Sequence, residues 1–176
     1  SSSKQATTKE LVMHCLRNSK QTTLLLVILF LWANTVFAFE PNKTIPTVSL
    51  RNADQKLVRL NEKIGKPMVL MAFNLACVYC DPEIKLLMEE KKNLGEDLQV
   101  FLINADVISK KEKVLDKLKK LECDLPILFD KNQDYTEGVA FPYTIIIDSK
   151  GIVKEVLTGF SETTKAKILK TIKEIK

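Results

Sequence analysis

Two cysteines separated by two residues, Cys77-Val78-Tyr79-Cys80, are the part of this sequence best suited to chemistry. A thiolate attacks a disulfide sulfur to give a mixed disulfide, and a second thiol held within reach resolves it. The two-residue spacing supplies that reach. If a helix begins at Cys80, that residue turns inward with Ile84, Leu87 and Met88, which recur at helical spacing. Cys77 then sits at the helix N-terminus, where the helix field favours a thiolate, so it is expected to attack and Cys80 to resolve. Glu83 lies one turn beyond Cys80 on the edge of the same stripe. A partly desolvated carboxylate there either assists deprotonation of the buried thiol or opposes thiolate formation, and the plain alternative is an ordinary helix carboxylate.

Other uses of the cysteine pair are weaker. A structural disulfide three residues apart closes a very short loop and stabilises little. A zinc half-site needs two further ligands, and after residue 38 the sequence has no histidine and only Cys123 left over. The single histidine, His14, precedes that point, which also removes a Cys-His hydrolase, a Ser-His-Asp triad and a His-ligated metal centre. No metal or cofactor is expected. Cys123 has no partner once Cys77 and Cys80 pair, and reads as a buried or half-buried bystander, with intermolecular pairing or redox sensing as the alternative. A second element is Phe141-Pro142-Tyr143-Thr144, a proline directly before an apolar strand. A cis bond there would expose backbone to a substrate, whereas a trans loop proline is the plain alternative. Val78, Tyr79, Phe141 and Pro142 are the candidate substrate contacts.

The elements that must position these residues follow from periodicity. Met68–Phe73 is apolar on both faces and reads as a buried central strand delivering the chain to Cys77. The helix from Cys80 fades at Asn93-Leu94-Gly95. Leu98–Asn104 and Ile127-Leu128-Phe129 are further buried strands, with a helix between them. Ser109 and Glu112 are spaced as a capping box for that helix, and Val114, Leu115, Leu118 and Leu121 form its apolar face. Tyr143–Ile147 and Ile152–Leu157 flank the turn Asp148-Ser149-Lys150-Gly151 as a hairpin. Ser161 opens a terminal helix with Ile168, Leu169 and Ile172 as its stripe. Upstream, Thr47–Leu50 and Leu57–Leu60 around Asn52-Ala53-Asp54 form a short hairpin. The fold class is therefore α/β, with a central mixed β-sheet flanked by helices and an N-terminal β-hairpin.

The first 38 residues read as a leader, residues 39–46 as a linker and 47–176 as one domain. Arg17 and Lys20 precede an apolar run from Leu24 to Ala33, and Val36 and Ala38 suit a cleavage point after Ala38. This is the pattern of a secretory signal peptide over about residues 13–38, with Met13 as its start and residues 1–12 as an extension before it. An uncleaved anchor is the alternative, since the apolar stretch extends to Phe39 and approaches the lower limit for a span. Both place the domain outside the cytoplasm, where disulfides form. The leader holds four basic residues and one acid, leaving 23 basic and 21 acidic residues, so the net charge of +5 gives no support to a nucleic-acid partner.

From about Thr47 onward the chain resembles the thioredoxin superfamily, specifically exported TlpA/ResA-type thiol-disulfide oxidoreductases, which include reductants of cytochrome c maturation. The resemblance is carried by the Met68–Phe73 strand into Cys77-Val78-Tyr79-Cys80, by Leu125-Pro126-Ile127-Leu128-Phe129-Asp130, by Phe141-Pro142-Tyr143-Thr144 and by Asp148-Ser149-Lys150-Gly151. It implies a cis Pro142 facing the cysteines and an acidic role for Glu83. It implies protein thiol or disulfide clients and a thiol-disulfide electron donor or acceptor as partners, with a membrane only if the leader stays uncleaved. Ala76 departs from the pattern, in which a tryptophan usually precedes the first cysteine. The Val-Tyr dipeptide also differs from Gly-Pro, and Pro82 comes earlier in the helix than the customary kink proline. Ala76 is the best argument for the rival reading, a redox-inactive thioredoxin-like binding module. A peroxidase on the same fold would need Thr-x-x-Cys with a supporting arginine, and beyond the leader only Arg51 and Arg59 are present. A metallochaperone is weaker still without histidine.

Overall fold

Met68–Phe73 forms β3, and its six side chains are all buried, three on each face of the sheet. The computed structural model describes residues 39–175, so the expected signal peptide, its alternative as an anchor, and residues 1–12 lie outside the described residues. The remaining elements, in chain order, are β1 (Ser49–Asn52), β2 (Leu57–Arg59), α1 (Cys80–Leu94), β4 (Gln99–Asn104), α2 (Lys111–Lys120), β5 (Ile127–Phe129), β6 (Tyr143–Ile147), β7 (Val153–Thr158) and α3 (Glu162–Glu174). Among the described residues no helix is long and apolar enough to cross a membrane.

The strands form one mixed sheet in the order β2-β1-β5-β4-β3-β6-β7. β3, β4 and β5 are parallel, while the β1–β2 hairpin at one edge and the β6–β7 hairpin at the other run antiparallel to their neighbours. This is the expected mixed sheet flanked by helices with an N-terminal hairpin. Strand alternation divides the core in two. Val69, Met71 and Phe73 face a cluster that takes Ile84 and Leu87 from α1, Val114 and Leu118 from α2, and Ile168 and Ile172 from α3. Met68, Leu70 and Ala72 face a second cluster built with Phe39, Ile45, Val48 and Leu60.

That second cluster changes the reading of residues 39–46. Their Pro and Asn content suggests a linker, yet Phe39 and Ile45 are buried and the segment is tied to the β6–β7 hairpin. Asn42 N donates to Val153 O at 2.8 Å, Val153 N to Lys43 O at 2.9 Å and Ile45 N to Gly151 O at 2.9 Å. The sheet face that packs no α-helix among the described residues needs an apolar cover, and these residues supply part of it.

Two helix starts have different outcomes. Ser161 caps α3 as expected, accepting from Thr164 N at 3.2 Å. Ser109 does not cap α2: the chain already winds as a 3-10 turn over Ile108–Lys110, with Lys110 N bonded to Val107 O at 2.9 Å, so Ser109 lies inside the turn and Lys110 takes the cap position without a side-chain bond. On α3 the half-buried Leu169 is replaced in the inward stripe by Thr171.

The β6–β7 turn is closed by Asp148 Oδ1, which accepts from Lys150 N and Ile152 N, both at 2.9 Å. Gly151 follows at φ +80°, and a Cβ placed there would stand 2.8 Å from Ile64 Cδ1. The Gly151→Ala variant is therefore expected to lose about 1 kcal/mol of stability or slightly more, most of it from the left-handed backbone, read as a lower urea midpoint of the oxidised protein at unchanged m value.

Candidate active site around the Cys77–Cys80 disulfide

β3 ends at Phe73, and the chain crosses Asn74–Tyr79 before α1 begins at Cys80. A polar brace fixes this crossing. Asp106 Oδ2 accepts from Leu75 N at 2.7 Å, and the buried Asn104 side chain donates to Asp106 Oδ2 at 3.1 Å and to Phe73 O at 3.4 Å. Lys110 Nζ lies 3.2 Å from Asp106 Oδ1 and completes the brace. Asn104 and Asp106 escape a sequence reading because their partners become visible only once β4 is set beside β3 with Phe73 opposite Asn104.

Cys77 and Cys80 are joined in a disulfide, with Cα atoms 5.5 Å apart. Cys80 is fully buried and Cys77 half-buried, while Val78 and Tyr79 between them are 76% and 62% exposed. One sulfur thus faces the surface and the other the core, in the order the helical spacing requires. The plain reading of a stapling disulfide does not account for two large side chains held out in solvent at the sulfurs.

Glu83 is more deeply placed than the stripe edge suggests. It is fully buried on α1 one turn beyond Cys80, and the Thr144 hydroxyl donates to its Oε1. Its Oε2 is buried with no hydrogen-bond partner among the described residues. Burial raises its carboxyl from 4.5 to about 7, with the Thr144 hydroxyl offsetting part of the rise. Thr144 is a second residue the sequence conceals. It reaches Glu83 because β6 pairs antiparallel with β3, Met71 opposite Thr144, on the face that packs α1.

The same pairing locates Phe141 and Pro142. Ala72 stands opposite Tyr143, and one step further along that register sets Phe73 beside Pro142, so both chain segments leave the sheet at one end. The Phe141-Pro142 bond is cis. Pro142 is buried and its carbonyl accepts from Gly159 N at 2.8 Å, and Phe141 is half-buried against the cluster that also holds Cys80 and Ile84. Of the four candidate contacts, Val78 and Tyr79 therefore project, while Phe141 is half-buried and Pro142 buried just before β6.

Charge near the disulfide is concentrated on the first turn of α1. Asp81 lies 2.7 Å, through Oδ1, from Lys117 Nζ on α2. Arg51 and Arg59 lie on β1 and β2, separated from β3 by β5 and β4. Arg51 Nη1 donates to Gln55 O at 2.6 Å and Arg59 pairs with Glu62 at 3.4 Å. Cys123 is free and half-buried after α2, and burial holds its thiol above the ordinary range, with the Leu125 backbone offsetting part and Asp124 adding to it. Among the described residues no three His, Cys, Asp or Glu side chains group as metal ligands would.

Known proteins agree with this architecture. The thioredoxin domain of a thiol-disulfide oxidoreductase from Bacteroides vulgatus superposes with a TM-score of 0.63 at 16% identity, over 76% of this chain and 98% of that one. The exposed lipoprotein thioredoxin of Streptococcus pneumoniae superposes with a TM-score of 0.59 at 26% identity, over 73% of this chain and 99% of that one. The thioredoxin-like protein YneN of Bacillus subtilis is 27% identical over 118 residues, 65% of this chain and 69% of its own length. These likenesses bear out the thioredoxin superfamily resemblance. Residues 41–156, from the segment packed under the sheet through β3, the disulfide and the cis proline to β7, match the AhpC/TSA family, and the chain belongs to it.

Proposed function

We propose that this protein is a thiol-disulfide oxidoreductase acting on protein clients outside the cytoplasm, with Cys77 as the attacking and Cys80 as the resolving thiol. The observation that carries this is the split of one disulfide between surface and core at the start of a helix. The names of the similar proteins support it, as they include a thiol-disulfide oxidoreductase and an exposed lipoprotein thioredoxin. An exported client such as apocytochrome c is the substrate class that the TlpA/ResA resemblance implies. Peroxide chemistry is disfavoured within the same family: Asn74 stands three residues before Cys77 where a threonine would be needed, and both described arginines are engaged at the far side of the sheet.

In the reduced protein the helix N-terminus favours the Cys77 thiolate, which attacks a client disulfide. A Cys77–client S–S bond forms, the client S–S bond breaks, and the departing client sulfur leaves as a thiolate that takes up a proton. Cys80 then attacks Cys77, the mixed disulfide breaks and the second client sulfur departs. Two electrons and two protons pass from the Cys77/Cys80 dithiol to the client, and the reverse sequence oxidises a client dithiol. Val78 and Tyr79 present apolar surface to the client, and Phe141 and Pro142 close the site beside it. Cys80 must lose its proton in a place without solvent. Glu83, buried one turn away with one oxygen unpartnered and a carboxyl titrating at about 7, is the group placed to accept it.

Reduction of insulin disulfides by dithiothreitol should accelerate with the wild-type protein and fall to the uncatalysed rate in Cys77→Ser. Wild-type activity at the uncatalysed rate would support the binding-module reading instead. Glu83→Gln should keep the disulfide but slow release of the mixed disulfide by about ten- to a hundredfold, and should remove an inflection near pH 7 from that step.

The same carboxyl leaves a mark on stability. Its folded value lies above its unfolded value, so folding favours the protonated form. Its contribution is most favourable below about pH 4.5 and is lost as the pH rises towards 7. Oxidised wild-type protein should therefore lose about 3 kcal/mol between pH 4.5 and 8 that Glu83→Gln does not lose, measured by urea unfolding across that range.

A further inference from the structure

The first turn of α1 carries an ion pair to α2 that the roles given above to Cys77, Cys80 and Glu83 do not include. Asp81 is the second residue of that helix, directly after Cys80. A carboxylate at this position satisfies the same positive helix end that would otherwise stabilise a thiolate at Cys77, and it repels the thiolate directly. Taken alone, Asp81 works against the attacking sulfur.

Lys117 removes that opposition. Its ammonium lies 2.7 Å from Asp81 Oδ1, on a side chain only 18% exposed. Asp81 Oδ1 is itself buried, and among the described residues the Lys117 ammonium is the group that compensates it. The other lysines of this region are differently placed. Lys110 pairs with Asp106, and Lys111 donates to Ala53 O at 2.6 Å. Lys113 and Lys120, one turn either side of Lys117, line with Asp116 and Leu121 a shallow cavity of about 360 Å³ that borders Asp81. The charged and titratable groups around the helix start are thus Tyr79, Asp81 and Glu83 on the active-site segment, Lys113, Asp116, Lys117 and Lys120 on α2, and the Asp106–Lys110 pair at the end of β4.

We propose that the Asp81–Lys117 pair sets how strongly the start of α1 favours the Cys77 thiolate, making both residues positioning residues for thiol-disulfide exchange. This rests on Cys77 being the attacking thiol. With the pair intact the two charges cancel at the helix end. Loss of Lys117 leaves an uncompensated negative charge there, and loss of Asp81 leaves a positive one.

The test is the pH dependence of iodoacetamide alkylation in the reduced full chain, read at Cys77 by peptide fragmentation. Relative to wild type, the midpoint should rise by about half a pH unit in Lys117→Met and fall by a similar amount in Asp81→Asn, the scale of one charge acting at a helix end. In the double variant it should return to the wild-type position. Lost packing alone would lower the urea midpoint without moving the alkylation profile. Single-variant midpoints that coincide with wild type, or move in the same direction, overturn the proposal. If Lys117→Met does not fold, Asp81→Asn decides by itself, since only a downward shift is compatible. An insulin assay on the same preparations keeps the two readings apart. Midpoints that split as described in a protein inactive towards insulin would remove the oxidoreductase reading and keep the assignment of the pair. Unmoved midpoints in an active protein would do the reverse.

Discussion

β3 is hydrogen-bonded along both edges and buried on both faces, and that constraint fixes where the reacting sulfurs emerge. A strand so placed cannot slide by one residue without turning Val69, Met71 and Phe73 away from the helices and into the second cluster. Its end is therefore a rigid point, and the brace of Asn104 and Asp106 carries that rigidity two residues further to Leu75. From there α1 needs only its own apolar stripe to drive Cys80 inward and leave Cys77 half-buried at the surface.

The helix start is also where the electrostatics meet. In the proposed reading three inputs act on the sulfurs: the helix N-terminus, the Asp81–Lys117 pair and Glu83. They differ in accessibility and therefore in strength. Asp81 is part-exposed and acts through a screened field, whereas Glu83 has no contact with solvent and its carboxyl is pushed to about 7 by burial. A carboxyl in that range exchanges protons near neutrality, which a carboxylate on the outside of α1 would not do. Thr144 holds it in place from β6, the strand that follows the cis proline, so Glu83 and Pro142 are fixed by one register.

Much of this was legible in local sequence. Periodicity of two and of 3.6 residues marks β3, α1 and the β6–β7 hairpin, and the cysteine spacing at a strand-to-helix junction marks the chemistry. What stayed hidden depends on contacts between segments distant in sequence. Thr144 is an ordinary strand residue until β6 is registered against β3. Lys117 is one of six lysines in a run that looks solvated, and only its approach to Asp81 distinguishes it. Ser109 carries a local capping signal that lost to a 3-10 turn starting one residue earlier, at Ile108. Residues 39–46 look like a linker because prolines and polar residues dominate their composition, although Phe39 and Ile45 are the two that matter for packing.

The central claim is that Cys77 is the sulfur that meets the client. Removing the resolving thiol in Cys80→Ser should let the protein accumulate a one-to-one covalent adduct with a disulfide-bonded peptide. The adduct should be joined through Cys77 and released by reductant. An adduct joined through Cys123, or no adduct at all, would contradict it.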